Sequence, residues 1–320
     1  MPKEMHPDEY GDLMVEAMRI VATGPDEVIV PFQIWDMDDF DNELSLLFRA
    51  KGFEKVERIA TIKDLVRDVW FGDGELFVLT DKAVHRYAAP GFKKPTAMKL
   101  PIKAARAIGG TSTKDLLVVG EGIARFDGKK WTKLATKEEI ELTCLSVHGD
   151  VAYAGGKNGV LLRISGNQIA QVKTPEIGEI QAVHLDSKGV LSVAGKNGSV
   201  QGPPDKLAAM TLPKNASFAT GICEFKAQIY WGCVGDDDGL GIFVQKGKKL
   251  EPLMPEMAIG MTATDRFLYA PGEGSVLRYD GETFAALALD FDEDKEQWKL
   301  EVAEVEDGDD EDDEDDEDDE

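Results

Sequence analysis

Four histidines are the first residues to consider, because catalysis and metal binding both use imidazole: His6, His85, His148 and His184. His148 and His184 each lie at the end of a short apolar run, just before a turn, which predicts equivalent positions in two neighbouring structural units. Such a pair could contact a ligand or a metal ion. Neither has a cysteine or a second histidine at zinc-site spacing, and the chain has no GxSxG motif. The sequence therefore predicts no catalytic residue, metal site or cofactor, and both histidines are interpreted as occupants of a repeated position that could contact a partner.

Two acidic clusters raise the question of calcium. Residues 36–43 read DMDDFDNE, but the sixth position of an EF-hand loop needs glycine, and this chain has Asp41 there. A solvated acidic turn is therefore favoured. Asp236, Asp237 and Asp238 lengthen one repeat and could bind Ca²⁺ weakly or contact a partner, and an exposed loop tip is the simpler alternative.

Two copies of the tetrapeptide GKNG supply the remaining candidate partner-binding residues: Lys157, Asn158, Lys196 and Asn197. Asn-Gly is typical of hairpin turns, because both residues tolerate positive φ. The spacing of the two copies predicts two lysines on the same face of adjacent units. Scattered lysines without clustered aromatic residues do not make a nucleic-acid surface in an acidic protein.

The net charge of −25 is distributed unevenly over the 320 residues. Residues 306–320 hold 14 acidic residues and no basic ones, so residues 1–305 carry the remaining −11. An acidic run without apolar residues cannot bury a core and is predicted to be a disordered tail. Such a chain repels nucleic acid and anionic membranes and attracts basic partners. No apolar stretch reaches 18 residues, so no membrane span is predicted.

The cysteines indicate a compartment. Cys144, Cys223 and Cys233 are odd in number and lack metal-ligand spacing. The first residues are charged throughout, with no apolar run before small residues, so no secretory signal is predicted. We therefore expect three free thiols in a reducing cytoplasm.

The chain changes its periodicity near residue 28. Residues 7–22 carry apolar side chains at three- and four-residue steps, which predicts a helix that ends at Thr23-Gly24-Pro25. Beyond it, a unit of four short apolar strands and tight turns recurs. The repeat length is about 38 residues. Equivalent positions in successive units, with one unit skipped before the last, are Arg86, Arg125, Arg163, Gln201 and Arg278. Sheets this small cannot bury both faces alone, so the units must stack around an axis.

These repeats resemble the β-propeller superfamily over most of the chain. WD-repeat proteins would repeat the dipeptide Trp35-Asp36, which occurs once, and Kelch repeats would carry a double glycine at one blade position. Here 109–110 and 155–156 occupy different positions, and the pattern is similar to loosely defined bacterial propeller repeats. The resemblance implies an all-β propeller of six or seven blades. The predicted organisation is a helical segment (1–27), the propeller (28–305) and the acidic tail (306–320).

Seven blades are favoured over six. Six units run from about residue 65 to 289, and residues 28–60 supply three strands of a further blade, with Arg49 one step before Arg86. Residues 298–305, WKLEVAEV, are predicted to complete that blade, so that strands from both ends of the chain close the ring.

Three functions fit this interpretation. The first, which we favour, is a cytoplasmic, monomeric, non-enzymatic propeller that binds a basic protein; immunity proteins that neutralise toxins share its acidic, non-catalytic profile. The second is a hydrolase or lyase with its active site at the propeller channel, which requires polar residues that converge on the axis. The third is a ligand-sensing or assembly module of a larger system.

Overall fold

The computed structural model describes residues 5, 7, 13–39, 42–89, 91–136, 139–235, 240–256 and 258–305. Its strands form seven antiparallel sheets in chain order, and each sheet is one blade of a seven-bladed β-propeller. The prediction of an all-β propeller with seven blades is confirmed.

The strands of the first four blades are as follows. Blade 1 contains β1 (Leu13–Ala17), β2 (Val21–Gly24), β3 (Glu27–Asp36), β4 (Glu43–Lys51) and β5 (Lys55–Ile62). Blade 2 contains β6 (Val66–Gly72), β7 (Glu75–Thr80), β8 (Ala83–Ala88) and β9 (Thr96–Lys99). Blade 3 contains β10 (Lys103–Ser112), β11 (Asp115–Phe126) and β12 (Trp131–Leu134). Blade 4 contains β13 (Leu142–His148), β14 (Val151–Gly156), β15 (Leu161–Ser165) and β16 (Gln168–Gln171).

The last three blades complete the ring. Blade 5 contains β17 (Ile180–Leu185), β18 (Leu191–Gly195), β19 (Gly198–Gly202) and β20 (Ala208–Met210). Blade 6 contains β21 (Ala216–Phe225), β22 (Gln228–Gly235), β23 (Gly241–Lys246) and β24 (Lys249–Met254). Blade 7 contains β25 (Thr262–Ala263), β26 (Leu268–Pro271), β27 (Ser275–Tyr279), β28 (Phe284–Asp292) and β29 (Gln297–Ala303).

Blade 3 has only three continuous strands because β11 folds back on itself. The Nη2 atom of Arg125 lies 2.7 Å from the carboxylate of Asp115, ten residues earlier. Ten residues of extended strand span about 33 Å, so the chain must reverse between them. Gly122, with φ of +116°, lies in this reversal. Blade 3 therefore has the same four-segment layout as its neighbours.

Seven buried clusters hold the ring together, one between each pair of adjacent blades. For example, Phe77 of blade 2 packs with Phe126 of blade 3, and Ala194 of blade 5 packs with Trp231 of blade 6. The cluster between blades 7 and 1 contains Tyr269 and Phe32 and closes the circle. Each blade covers the faces of its neighbours, which is the physical reason that the unit repeats.

The prediction of an N-terminal helix over residues 7–22 is wrong where the structure describes that segment. β1 and β2 are strands, and both pair with β3 as the inner edge of blade 1. Ala17 is fully buried in the cluster between blades 7 and 1. Ladder hydrogen bonds and burial at this interface outweigh the helical spacing of the apolar residues. The first blade therefore begins before residue 28.

The predicted role of residues 298–305 is also wrong. β29 pairs with β28 along the register from Asp292↔Gln297 to Ala286↔Ala303, so it is a fifth strand of blade 7. A hairpin between adjacent strands closes over a short loop, whereas pairing with blade 1 would compete with β1 and β2 for no gain in core. The two ends of the chain still meet, because Trp298 Nε1 donates a hydrogen bond to the carbonyl of Met5 at 2.9 Å.

Lys157–Gly159 form a single 3₁₀ turn, and the described residues contain no α-helix. In that part of the chain no helix is long and apolar enough to cross a membrane. Cys144, Cys223 and Cys233 are buried free thiols.

Candidate functional site: the central channel and the GKNG face

The inner strands of all seven blades surround a central channel with a cavity volume of about 280 Å³. We name one end of the ring the GKNG face, after the turns at 156–159 and 195–198. On this face lie the turns between the second and third strands of each blade and the connections between blades. The opposite face carries the hairpins that follow the inner strands. Each inner strand runs from the GKNG face to the opposite face.

The pairing registers of the blades sort the channel residues into three layers. A β-bulge interrupts several inner strands at one level, and the residue after it defines the first layer. The first layer is Arg19, Asp68, Ala107, Cys144, Ala182, Gly221 and Gly260. The second is Ile20, Val69, Ile108, Leu145, Val183, Ile222 and Met261. In the third, Val21, Ser146, His184 and Thr262 line the channel, at the level of Trp70, Gly109 and Cys223.

Arg19 and Asp68 break the pattern of the first layer, whose other members are small and uncharged. The Nε atom of Arg19 lies 3.7 Å from a carboxylate oxygen of Asp68 in the next blade. On its other side, Arg19 passes Gly260, where a Cβ atom would lie 2.9 Å from Nη1. Gly260 also has φ of +84°, so glycine is required there for both backbone and space.

Asp68 is held by the backbone of two blades. Its two oxygens accept hydrogen bonds from the amides of Val69, at 2.9 Å, and Ile108, at 2.8 Å. Burial raises the pKa of Asp68, against the lowering influence of Arg19 and of the two amides. The carboxylate thus links blade 2 to blade 3 and supplies a negative charge beside Arg19.

From the sequence, Asp68 could be recognised as an unusual residue at its position in the repeat, but its neighbour Arg19 could not be identified. The 38-residue register places Asp68 in line with Ala107, Cys144 and Ala182, so a carboxylate in that column was a readable signal. Arg19 was missed because its segment was interpreted as a helix. Burial raises the pKa of the Cys144 thiol to about 11, and the charge of Arg19, three blades away, acts against that rise.

His148 and His184 do not occupy equivalent positions, and that prediction is wrong. Counted from the bulge, His184 aligns with Ser146, and His148 lies two residues farther along its strand. His148 is exposed on the opposite face, whereas His184 is half-buried and lines the channel. Burial lowers the pKa of His184, against the opposing influence of Glu224 and Asp186. Its Nε2 atom is buried without a hydrogen-bond partner among the described residues.

The GKNG turns do lie on one face of adjacent blades, but their lysines are paired. Lys157 Nζ lies 2.7 Å from a carboxylate oxygen of Glu141, and Lys196 Nζ lies 2.9 Å from one of Glu179. Asn158 and Asn197 are exposed, and Asn158 has φ of +57° as hairpin chemistry requires. The two turns therefore do not form a basic patch, and a partner-binding role for them stays a prediction.

Backbone pairing brings glutamates together on the GKNG face. Glu16 of blade 1 bridges Glu273 of blade 7, and Glu121 of blade 3 bridges Glu141 of blade 4. Burial, followed by the charge of Glu273, raises the pKa of Glu16. Like charges in paired strand positions repel, and at Glu121 and Glu141 the repulsion is partly offset by Lys157, which binds Glu141. Asp236, Asp237 and Asp238 and the tail 306–320 lie outside the described residues.

The other acidic candidate is residues 36–43, of which 36–39 and 42–43 are described; they lie where β3 ends and β4 begins. The Asp36 carboxylate accepts the amide of Asp38 at 2.9 Å, and Asp38 and Asp39 are exposed, as expected of an acidic turn. Among the described residues no group of three or more histidine, cysteine or acidic side chains is arranged to hold a metal ion.

Three of the arginines that mark the repeat form ion pairs. Arg86 and Arg125 bind carboxylates of their own blades at 2.7 Å, and Arg278 reaches Asp26 of blade 1 at 3.1 Å. Arg278 also lies over the rings of Phe53 and Phe267. These arginines stabilise the blades and their junctions.

Comparison with solved structures finds propellers. The chain is similar to virginiamycin B lyase from Staphylococcus aureus, with 14% identity and a TM-score of 0.65 over 82% of this chain and 98% of that one. It is similar to YCF48 bound to D1 peptide, with 11% identity and a TM-score of 0.63 over 86% and 97%. The WD40 propeller domain of Doa1 matches with 13% identity and a TM-score of 0.54 over 74% and 96%. These likenesses show the fold alone. No family model matches the sequence, and no curated protein matches it.

Proposed function

We propose that this protein is a non-enzymatic binding propeller that engages a basic protein through its GKNG face. The observation that carries the proposal is the pairing of glutamates there, Glu16 with Glu273 and Glu121 with Glu141, between adjacent blades. Of these four glutamates, Glu141 forms an ion pair with Lys157 among the described residues. A lysine or arginine from a partner would neutralise carboxylates that the fold holds close together.

The charge distribution extends this argument beyond the face. Residues 1–305 carry a net charge of −11, and residues 306–320 add 14 negative charges. Charge complementarity of this kind accelerates encounter with a basic protein and discriminates against acidic ones. The tail would capture the partner loosely, and the GKNG face would then fix its orientation.

A propeller suits this role because its loops form a broad surface on a rigid ring. YCF48, a similar structure, is described bound to a peptide. The buried free thiols suit a reducing cytoplasm, which is where we place the protein. A basic secreted toxin is one class of partner that would make this an immunity protein.

The enzymatic alternative has less support. A similar structure is a lyase, but identity of 14% carries no activity across. In the channel both oxygens of Asp68 accept backbone amides, so this carboxylate has a structural role in joining blades 2 and 3.

Affinity capture followed by mass spectrometry tests the proposal, with the full chain as bait at low and high salt. A Glu16→Gln, Glu121→Gln, Glu141→Gln and Glu273→Gln variant is compared with the full chain. A matched control, with Glu54→Gln, Asp150→Asn, Asp205→Asn and Glu282→Gln, removes four exposed carboxylates from the opposite face. We expect a basic partner that the control retains, that the quadruple variant loses and that high salt releases. A partner retained equally by all three proteins at both salt concentrations contradicts the proposal.

A further inference from the structure

The Arg19 guanidinium has unused hydrogen-bonding capacity inside the channel. Its described hydrogen bond runs from Nη1 to the carbonyl of Met18 at 2.9 Å, and Asp68 lies beyond hydrogen-bond distance at 3.7 Å. Arginine carries five N–H donors in a planar fork that matches a carboxylate. The side chain is 27% exposed, so the remaining donors can be reached from the channel.

Asp68 does not need Arg19 to satisfy its oxygens. The amides of Val69 and Ile108 already occupy both of them. The pair therefore interacts through charge, without a hydrogen bond that a ligand would have to break. Arg19 is available to an anion that enters the channel.

The layers next to Arg19 indicate the shape of that anion. Seven apolar side chains form the second layer, six of them aliphatic, including Ile108, Leu145 and Ile222. One step farther, the half-buried side chain of His184 lines the channel. Its Nε2 atom lies below that surface and has no hydrogen-bond partner among the described residues, so a small rotation of the ring would let it meet a ligand. Two residues along a strand span about 6.6 Å, so the backbone levels of Arg19 and His184 are about that far apart along the channel, with the second layer between them.

We propose that the channel binds a small amphiphilic carboxylate of the size of a hydroxylated aryl acid. The carboxylate would pair with Arg19, the ring would lie among the aliphatic residues of the second layer, and a distal hydroxyl would meet His184. A volume of about 280 Å³ is at the lower end of ligand pockets and suits a ligand with one ring. This site is separate from the proposed protein-binding face.

Ligand-detected NMR and calorimetry on the full wild-type chain provide the first test, with 4-hydroxybenzoate as the probe. We expect 4-hydroxybenzoate to bind, benzoate to bind more weakly, and the neutral 4-hydroxybenzamide and inorganic phosphate to fail to compete. Failure of 4-hydroxybenzoate to bind at millimolar concentrations overturns the proposal, and so does equal binding of the amide.

Variants then assign the groups. Arg19→Gln should weaken the binding of 4-hydroxybenzoate about 10- to 100-fold, the range expected for charge-assisted hydrogen bonds. Asp68→Asn should strengthen it, because the competing negative charge is removed; a weaker affinity in a folded Asp68→Asn protein contradicts the proposal. His184→Leu should abolish the preference for 4-hydroxybenzoate over benzoate while benzoate still binds. Thermal unfolding of each variant separates loss of binding from loss of fold, and the wild-type comparison of acid with amide stands even if Arg19→Gln does not fold.

Discussion

The amide of Ala17 donates a hydrogen bond to the carbonyl of Gly272 at 2.9 Å, so the first strand of the chain is joined directly to the last blade. Gly274 returns a hydrogen bond from its amide to the carbonyl of Val15 at 3.0 Å. The ring is thus closed by its N-terminal strand, which contacts blade 7 through backbone and core together.

Closure through Ala17 predicts a strong effect of proline at this position. Ala17→Pro removes the amide donor and should lower the free energy of unfolding by about 3 kcal/mol or more. Ala17→Gly keeps the donor and loses only a buried methyl group, which costs about 1 kcal/mol. Thermal and denaturant unfolding measure both variants. Deletion of 306–320, which removes no described residue, serves as the control and should leave the midpoint unchanged; equal losses for proline and glycine would show that the hydrogen bond to Gly272 does not matter.

Replacing Glu16 with glutamine should raise the free energy of unfolding, and the size of this gain should depend on pH. The pKa of Glu16 is raised in the folded protein by burial and by Glu273, so ionisation costs the folded state free energy. That cost is present at neutral pH and disappears below about pH 4.5, the ordinary value of the group. Glu16→Gln should therefore be more stable than wild type at pH 7, and the difference should vanish at pH 4. The measurement is denaturant unfolding across this range, with Glu251→Gln, an exposed carboxylate on β24, as the control. A gain that persists unchanged at pH 4 would contradict the assignment.

Replacing His184 should also change the free energy of unfolding in a pH-dependent way, with the sign opposite to that of Glu16. Burial lowers the pKa of His184 from the ordinary value of 6.5, so protonation is costlier in the folded state than in the unfolded one. The wild type should lose stability relative to His184→Gln as the pH falls through 6.5, and the difference should be constant above it. Histidine NMR titration gives the midpoint, and unfolding at pH 8 and pH 5 gives the energetic effect. His148→Gln should raise the His184 midpoint slightly, because the charge of His148 helps to lower the pKa of His184. A His184 midpoint above 6.5 in the wild type would disprove the prediction.

The glycines that end the second strands of blades 4 and 5 permit close approach of the chain. A Cβ atom on Gly156 would overlap the carbonyl oxygen of Glu141, and one on Gly195 would overlap that of Ile177. Gly156 has an extended backbone, with φ of −167°, so the constraint is space rather than conformation. Either alanine variant should destabilise the protein by several kcal/mol, because backbone atoms must move. Gly149→Ala is the control, because Gly149 has φ of +57° and nothing near its Cβ position. This substitution should lower the free energy of unfolding by about 1–2 kcal/mol. Equal losses at Gly149 and Gly195 would be inconsistent with this explanation, and unfolding midpoints decide it.

The sequence by itself determined the repeating blade. Local alternation and turn chemistry recur with the residues that carry them, as at Arg86, Arg125 and Arg163, so the strands of the middle blades could be predicted from spacing alone. The prediction failed at both ends of the chain. Residues 13–17 have apolar spacing that also suits a helix, and only the empty inner edge of β3 makes them a strand.

The channel site was decided by tertiary structure. Arg19 and Asp68 are 49 positions apart in the sequence, and nothing in their neighbours predicts that they meet. Their contact exists because blades 1 and 2 pack side by side, which brings equivalent levels of their inner strands together around the axis. A repeat is encoded locally and can be read one unit at a time, whereas the residues that break it acquire a role only when the circle is complete.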